Sequence, residues 1–131
     1  MRHPDPAALL ASARVAAALA EGLPVPRPEL ARAVRFTLSR LADLRPGKLI
    51  EVRVPPFAAV QIGVPGQTSA HTRGTPPHVV ETDAATWLAL AHGSLSWADA
   101  VAERLVAASG VQAHLADALA HLIDDLGPDV N

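Results

Sequence analysis

The residues of this 131-residue chain that could do chemistry are histidine, serine and arginine, because cysteine is absent. That absence excludes disulfides, thiolate metal sites and a cysteine nucleophile. The six histidines stand at 3, 71, 78, 92, 114 and 121, with no HExxH helix and no close pair backed by carboxylates. His114 and His121 fall roughly two helical turns apart, too far to share one ion. Gly63, Gly66 and Gly74 precede a strand rather than a helix, so they form neither a phosphate loop nor a dinucleotide fingerprint. No metal and no cofactor are expected. Ser69, Ser94, Ser96 and Ser109 have capping or turn explanations, and none sits in a strand-to-helix elbow. The run His71, Thr72, Arg73, Gly74 carries the most chemical potential, since an imidazole and an arginine fork so close together could grip a carboxylate or phosphate. Equally, Arg73 could pair with Glu51 or Glu81 on a sheet surface and leave His71 solvated. No base, nucleophile and orienting group can be assembled, so an enzyme is not expected.

Eleven basic residues against thirteen acidic ones give a net charge of -2, without the field that would gather nucleic acid or an anionic membrane. The apolar run 7–20 follows Asp5, is interrupted by Arg14 and falls short of a membrane span, so it reads as a helix of a soluble, cytoplasmic protein. Half of the residues are apolar but the aromatics are only Phe36, Phe57, Trp87 and Trp97. Alanine and the aliphatics must therefore fill a single core of small side chains.

The elements that must position these residues follow from periodicity. Asp5 and Pro6 start a helix that Gly22 stops, and the segment LPVPRP is too rich in proline for regular structure. Residues 1–26 are expected as an N-terminal helix with a semi-rigid linker, and residues 27–131 as the domain proper. Pro28 opens a second helix in which Leu30, Val34, Leu38 and Leu41 form a stripe, with Arg32, Arg35, Arg40 and Asp43 off it. The period then drops to two. Ile50, Val52 and Val54 alternate with Glu51 and Arg53, and after Pro55 and Pro56 a second strand spans 57–62. The glycine- and proline-rich stretch 63–77 reads as a surface loop. A strand at 78–82, a helix capped by Asp83 and ended by Gly93, a short helix with a Ser96/Asp99 capping box, and a strand around 105–109 follow. Gly110 turns into a last helix with Val111, Leu115, Leu119, Leu122 and Leu126 on one stripe, and Gln112, Asp117 and Asp124 outside it. The class is α+β: four to five strands, mostly antiparallel, with helices packed over one face and an extra N-terminal helix.

Three blocks, EVRVPPFAAVQ, HTRGTPPHVVETDAATWLALAHGSLSWADAV and VAASGVQAHLADAL, give residues 30–122 a resemblance to the sterol carrier protein (non-specific lipid-transfer) domain, in its short bacterial orthologous group. The sequence departs from its relatives at Glu103 and Arg104, where glycine is common, and lacks the lysine-rich strand of eukaryotic carriers. The resemblance implies a twisted sheet with helices over one face enclosing an apolar tunnel, and non-catalytic binding or carriage of a lipid, fatty acyl or sterol-like molecule. On that footing Val60, Ile62, Trp87, Leu90, Leu105, Leu115, Leu119 and Leu122 are expected to line the apolar site, with His71 and Arg73 meeting a polar head group at its mouth. Domains of this fold also occur beside mycothiol-dependent maleylpyruvate isomerase-like enzymes. The alternative is therefore an interaction or accessory module without a tunnel, docking a protein partner through the N-terminal helix, or pairing as a homodimer.

Overall fold

The computed structural model describes residues 3–67 and 78–127. Five helices and four strands follow one another as α1 (Pro6–Ala20), α2 (Arg27–Leu44), β1 (Ile50–Val54), β2 (Ala58–Ile62), β3 (His78–Thr82), α3 (Ala84–Ala91), α4 (Trp97–Ala102), β4 (Val106–Ser109) and α5 (Ala116–Leu126). The α+β class is as read from the sequence. The sheet order is β2-β1-β3-β4, with β1/β2 and β3/β4 antiparallel and β1/β3 parallel. The β1–β2 hairpin turns on a cis Pro55–Pro56 bond, closed by the Phe57 amide donating to the Val54 carbonyl at 3.0 Å. The Arg27 guanidinium lies over the Phe57 ring, 5.2 Å from its centroid.

Register decides the two faces of the sheet. Ile50, Val52 and Val54 of β1 share a face with Val60 and Ile62 of β2 and with Val80 and Thr82 of β3. The alternate positions, Glu51, Arg53, Gln61 and Glu81, turn to the opposite, solvated side. The core lies between the apolar face and the helices, among Val34, Leu38 and Leu41 of α2, Trp87, Leu88 and Leu90 of α3, and Leu119, Leu122 and Leu126 of α5. Helix α1 packs on α2 and α3, and Val15 joins the same core.

Helix α2 is the centre of this layer. Its buried residues, Ala31, Ala33, Val34, Thr37, Leu38, Arg40, Leu41 and Leu44, span about half its circumference at 100° per residue. Two polar contacts lock it to its neighbours. The Trp87 Nε1–H donates to Thr37 Oγ1 at 2.8 Å, and the Thr37 hydroxyl in turn donates to the Ala33 carbonyl at 2.8 Å. Arg40 corrects the expectation that placed it off the buried stripe. Only 6% exposed, it meets Asp125 of α5 in a two-pronged pair, Nε to Oδ2 at 2.9 Å and Nη2 to Oδ1 at 2.7 Å. That hydrogen bonding to Asp125 outweighs desolvation and raises the guanidinium above its ordinary pKa. Arg40 is buried because α5 crosses its face, which periodicity within α2 alone does not reveal.

The last helix also differs from expectation. It begins at Ala116, and Val111 is 89% exposed rather than part of the stripe. No capping side chain is available at its start, and residues 110–114 form turns. The Gln112 amide donates to His78 Nδ1 at 3.3 Å, which ties this turn to the start of β3 instead of continuing the helix.

Three helices end in the same two-bond motif. After α1 the amides of Leu23 and Gly22 donate to the carbonyls of Ala18 and Leu19, and after α3 those of Ser94 and Gly93 donate to Ala89 and Leu90. After α4 the amides of Leu105 and Arg104 donate to Ala100 and Val101. The motif needs a left-handed residue, which Gly22 (φ 72°) and Gly93 (φ 85°) supply freely. Arg104 adopts φ 58° with a side chain that opposes it.

Arg104→Gly should therefore stabilise the fold by about 0.5–1 kcal/mol, measured as a higher urea midpoint at unchanged slope. Arg40→Met, which strands the Asp125 carboxylate, should cost roughly 3 kcal/mol, and adding Asp125→Leu should recover most of it in the same assay.

Candidate functional site

Asp5 begins the site. Its carboxylate accepts the Ala8 amide at 3.0 Å and Pro6 occupies the first turn, so α1 starts where the sequence dictates. The face that α1 turns toward α2 carries Ala7, Ala8, Ala11, Ser12, Arg14, Val15 and Ala18, at the spacing of one helical side. The opposing face of α2 carries Glu29, Arg32, Ala33 and Phe36. Because most of these side chains are small, the two helices leave a hollow of about 500 Å³ between them. Its floor is buried Ser12, Val15 and Ala33, its wall includes half-buried Phe36, and Pro24, Val25 and Pro26 of the linker border it. Arg14, Arg32, Asp5 and Glu29 are its charged, exposed residues.

Beneath the floor, Ser12 Oγ lies 2.9 Å from Nε2 of His92, the residue that follows α3. This is the spacing of a nucleophile and its base. Two facts oppose that use. Ser12 is 0% exposed, and its hydroxyl donates to the Leu9 carbonyl at 3.1 Å, so Oγ accepts from an Nε2–H donor. The pair is a clamp between α1 and α3. Burial lowers the His92 pKa from the ordinary 6.5, favouring the neutral ring that this contact uses.

Two other hollows are smaller. One, about 330 Å³, is lined by Pro55, Thr82, Arg104, Leu105 and Val106 among others. The other, about 300 Å³, lies among Arg45, Ile50, Ile62, His114 and Asp117. Among the described residues no group of three or more histidine, aspartate or glutamate side chains is arranged to hold a metal ion.

The residues expected from the sequence to line an apolar site fall into three groups. His71 and Arg73 lie outside the described residues. Trp87, Leu90, Leu115, Leu119 and Leu122 are buried in the core and are not among the residues that line these three hollows. Ile62 is buried and borders the 300 Å³ hollow, Val60 is half-buried against the core, and Leu105 is 38% exposed beside the 330 Å³ one. The hollow between α1 and α2 was missed. Its signals were present in the sequence: small residues recurring along one side of α1, and Phe36 standing off the main stripe of α2.

A compact α+β domain with helices over one sheet face, and apolar space beside its central helix, is the class these observations define. The profile of the family described as bacterial SCP ortholog matches residues 26–120, and the chain belongs to that family. Comparison with curated proteins found none that matches. The match begins at Pro26, so α1 precedes it. No helix among the described residues is long and apolar enough to cross a membrane.

The depressed His92 pKa makes stability depend on pH with a definite sign. The unfolded chain takes up the proton near pH 6.5 and the folded chain only below that, so stability should fall as pH drops through 6.5 toward the folded value. In His92→Gln, whose amide can still donate to Ser12, thermal melts between pH 7.5 and 5 should lack this component.

Proposed function

We propose that this protein binds and carries a hydrophobic or amphipathic small molecule, of lipid, fatty acyl or sterol-like kind, without reacting with it. The hollow between α1 and α2 is taken as its seat. Family membership supports a carrier role, and the observation that bears most weight is the size and lining of this hollow. Small-molecule sites commonly occupy roughly 300–1,000 Å³, are mostly apolar, and fix orientation through a few polar groups. Val15, Ala33 and Phe36 offer the apolar surface, while the charged residues stand exposed, which suits a ligand with a wet end and a greasy one.

In this reading Trp87, Leu90, Leu115, Leu119 and Leu122 hold α2 and α3 in place rather than touch the ligand. A core packed at crystal-like density gives up contacts if its layers part, whereas a surface hollow fills without that loss.

Native mass spectrometry of gently extracted protein, then of protein mixed with a panel of fatty acyl compounds and sterols, should show one bound molecule per chain. Ala11→Trp, which fills the hollow from an exposed helix position, should abolish the bound species while leaving the thermal melt within a few degrees of the parent. Absence of binding across the panel would reject the carrier role. Binding that survives Ala11→Trp would move the seat elsewhere, with the layer between helices and sheet first in line.

A further inference from the structure

Which molecule fits is decided by the charges around the hollow. Four charged side chains line it: Asp5 and Arg14 from α1 and its cap, Glu29 and Arg32 from α2. The two carboxylates already have local tasks. Asp5 caps α1 by accepting the Ala8 amide, and Glu29 sits in the first turn of α2, where the helix end is electropositive. The arginines are different. Neither Arg14 nor Arg32 makes an ion pair or hydrogen bond with any described residue, although other arginines do: Arg40 with Asp125, Arg53 with Glu51, and Arg45 with the Asp117 carbonyl.

Two arginines from opposite walls thus border one mostly apolar hollow. We infer that the hollow selects a single-chain anionic amphiphile, whose carboxylate or phosphate is gripped by Arg14 and Arg32 while its chain lies against Val15, Ala33 and Phe36. This rests on the carrier reading and adds the chemical class to it.

The physical ground is that guanidinium groups match planar or tetrahedral oxyanions with paired, charge-assisted hydrogen bonds. Exposed arginines keep their solvation until such a group arrives, so they lose little by waiting at the mouth. A neutral sterol or a cationic amphiphile offers them no oxyanion to pair with. The chain as a whole is slightly acidic, so no long-range field draws anions in, and the preference must be local.

Titration calorimetry on the full chain, with four twelve-carbon probes below their micellar concentrations, tests this. The probes are dodecanoate, dodecyl phosphate, dodecyl maltoside and dodecyltrimethylammonium. The two anions should bind at least about tenfold more tightly than the other two, a margin that salt should erode. The comparison between carboxylate and phosphate shows which head group the arginine pair prefers. The double variant Arg14→Gln/Arg32→Gln should remove the margin between anionic and neutral probes, and since both residues are exposed its melting curve should match the parent's. Equal affinity for anionic and neutral probes, or a margin that survives the double variant, would overturn the arginine inference and leave the carrier reading standing. Failure of all four to bind would also overturn the arginine inference, while the carrier reading stands or falls on the wider panel of fatty acyl compounds and sterols.

Discussion

The hydrogen bond from the Trp87 indole to the Thr37 hydroxyl is the constraint on which the helical layer depends. Both groups are fully buried, and a buried donor left without an acceptor costs on the order of 1–3 kcal/mol. The indole has to find Thr37, and the helices that bear them have to be in register. Thr37 passes the constraint on, because its own proton goes to the Ala33 carbonyl one turn earlier in α2. Less than one turn later Arg40 fixes α5 through Asp125. Apolar contacts alone would allow α3 and α5 to slide on α2, and these directional bonds select one arrangement.

The hollow beside α2 inherits this rigidity. Ala33, whose carbonyl receives the Thr37 proton, is also part of its floor, and Ser12 on the other wall is held to His92 at the end of α3. Both walls are therefore referred to the same third helix. A space bounded by alanine would ordinarily be closed by the approach of the two backbones. Here the ends of α1 and α2 are joined by a linker with prolines at 24 and 26, and half-buried Phe36 borders the space they leave.

Much of this fold could be read from residue order. The caps at Asp5, Asp83 and Ser96, the alternation in β1, the stops at Gly22 and Gly93 and the apolar stripe of α2 all announce themselves within a few residues. What escaped was set by residues distant in the chain. Arg40 looked solvent-facing because Asp125 lies 85 positions away. Val111 looked like the start of a helix because the bond holding its turn to His78 of β3 crosses 34 positions. The site was harder still. Apolar residues that line a space and apolar residues that fill one have the same periodicity, so residue order places Trp87, Leu90 and Leu122 inside the fold without saying which of the two they do.

The family match begins at Pro26, and α1 lies ahead of it. One wall of the hollow thus lies within the matched residues and the facing wall ahead of them, the two helices being joined by residues 21–26. A lengthened connector or a larger side chain in place of an alanine on α1 would reshape the hollow while leaving every residue from 26 to 120, the stretch the family shares, as it is.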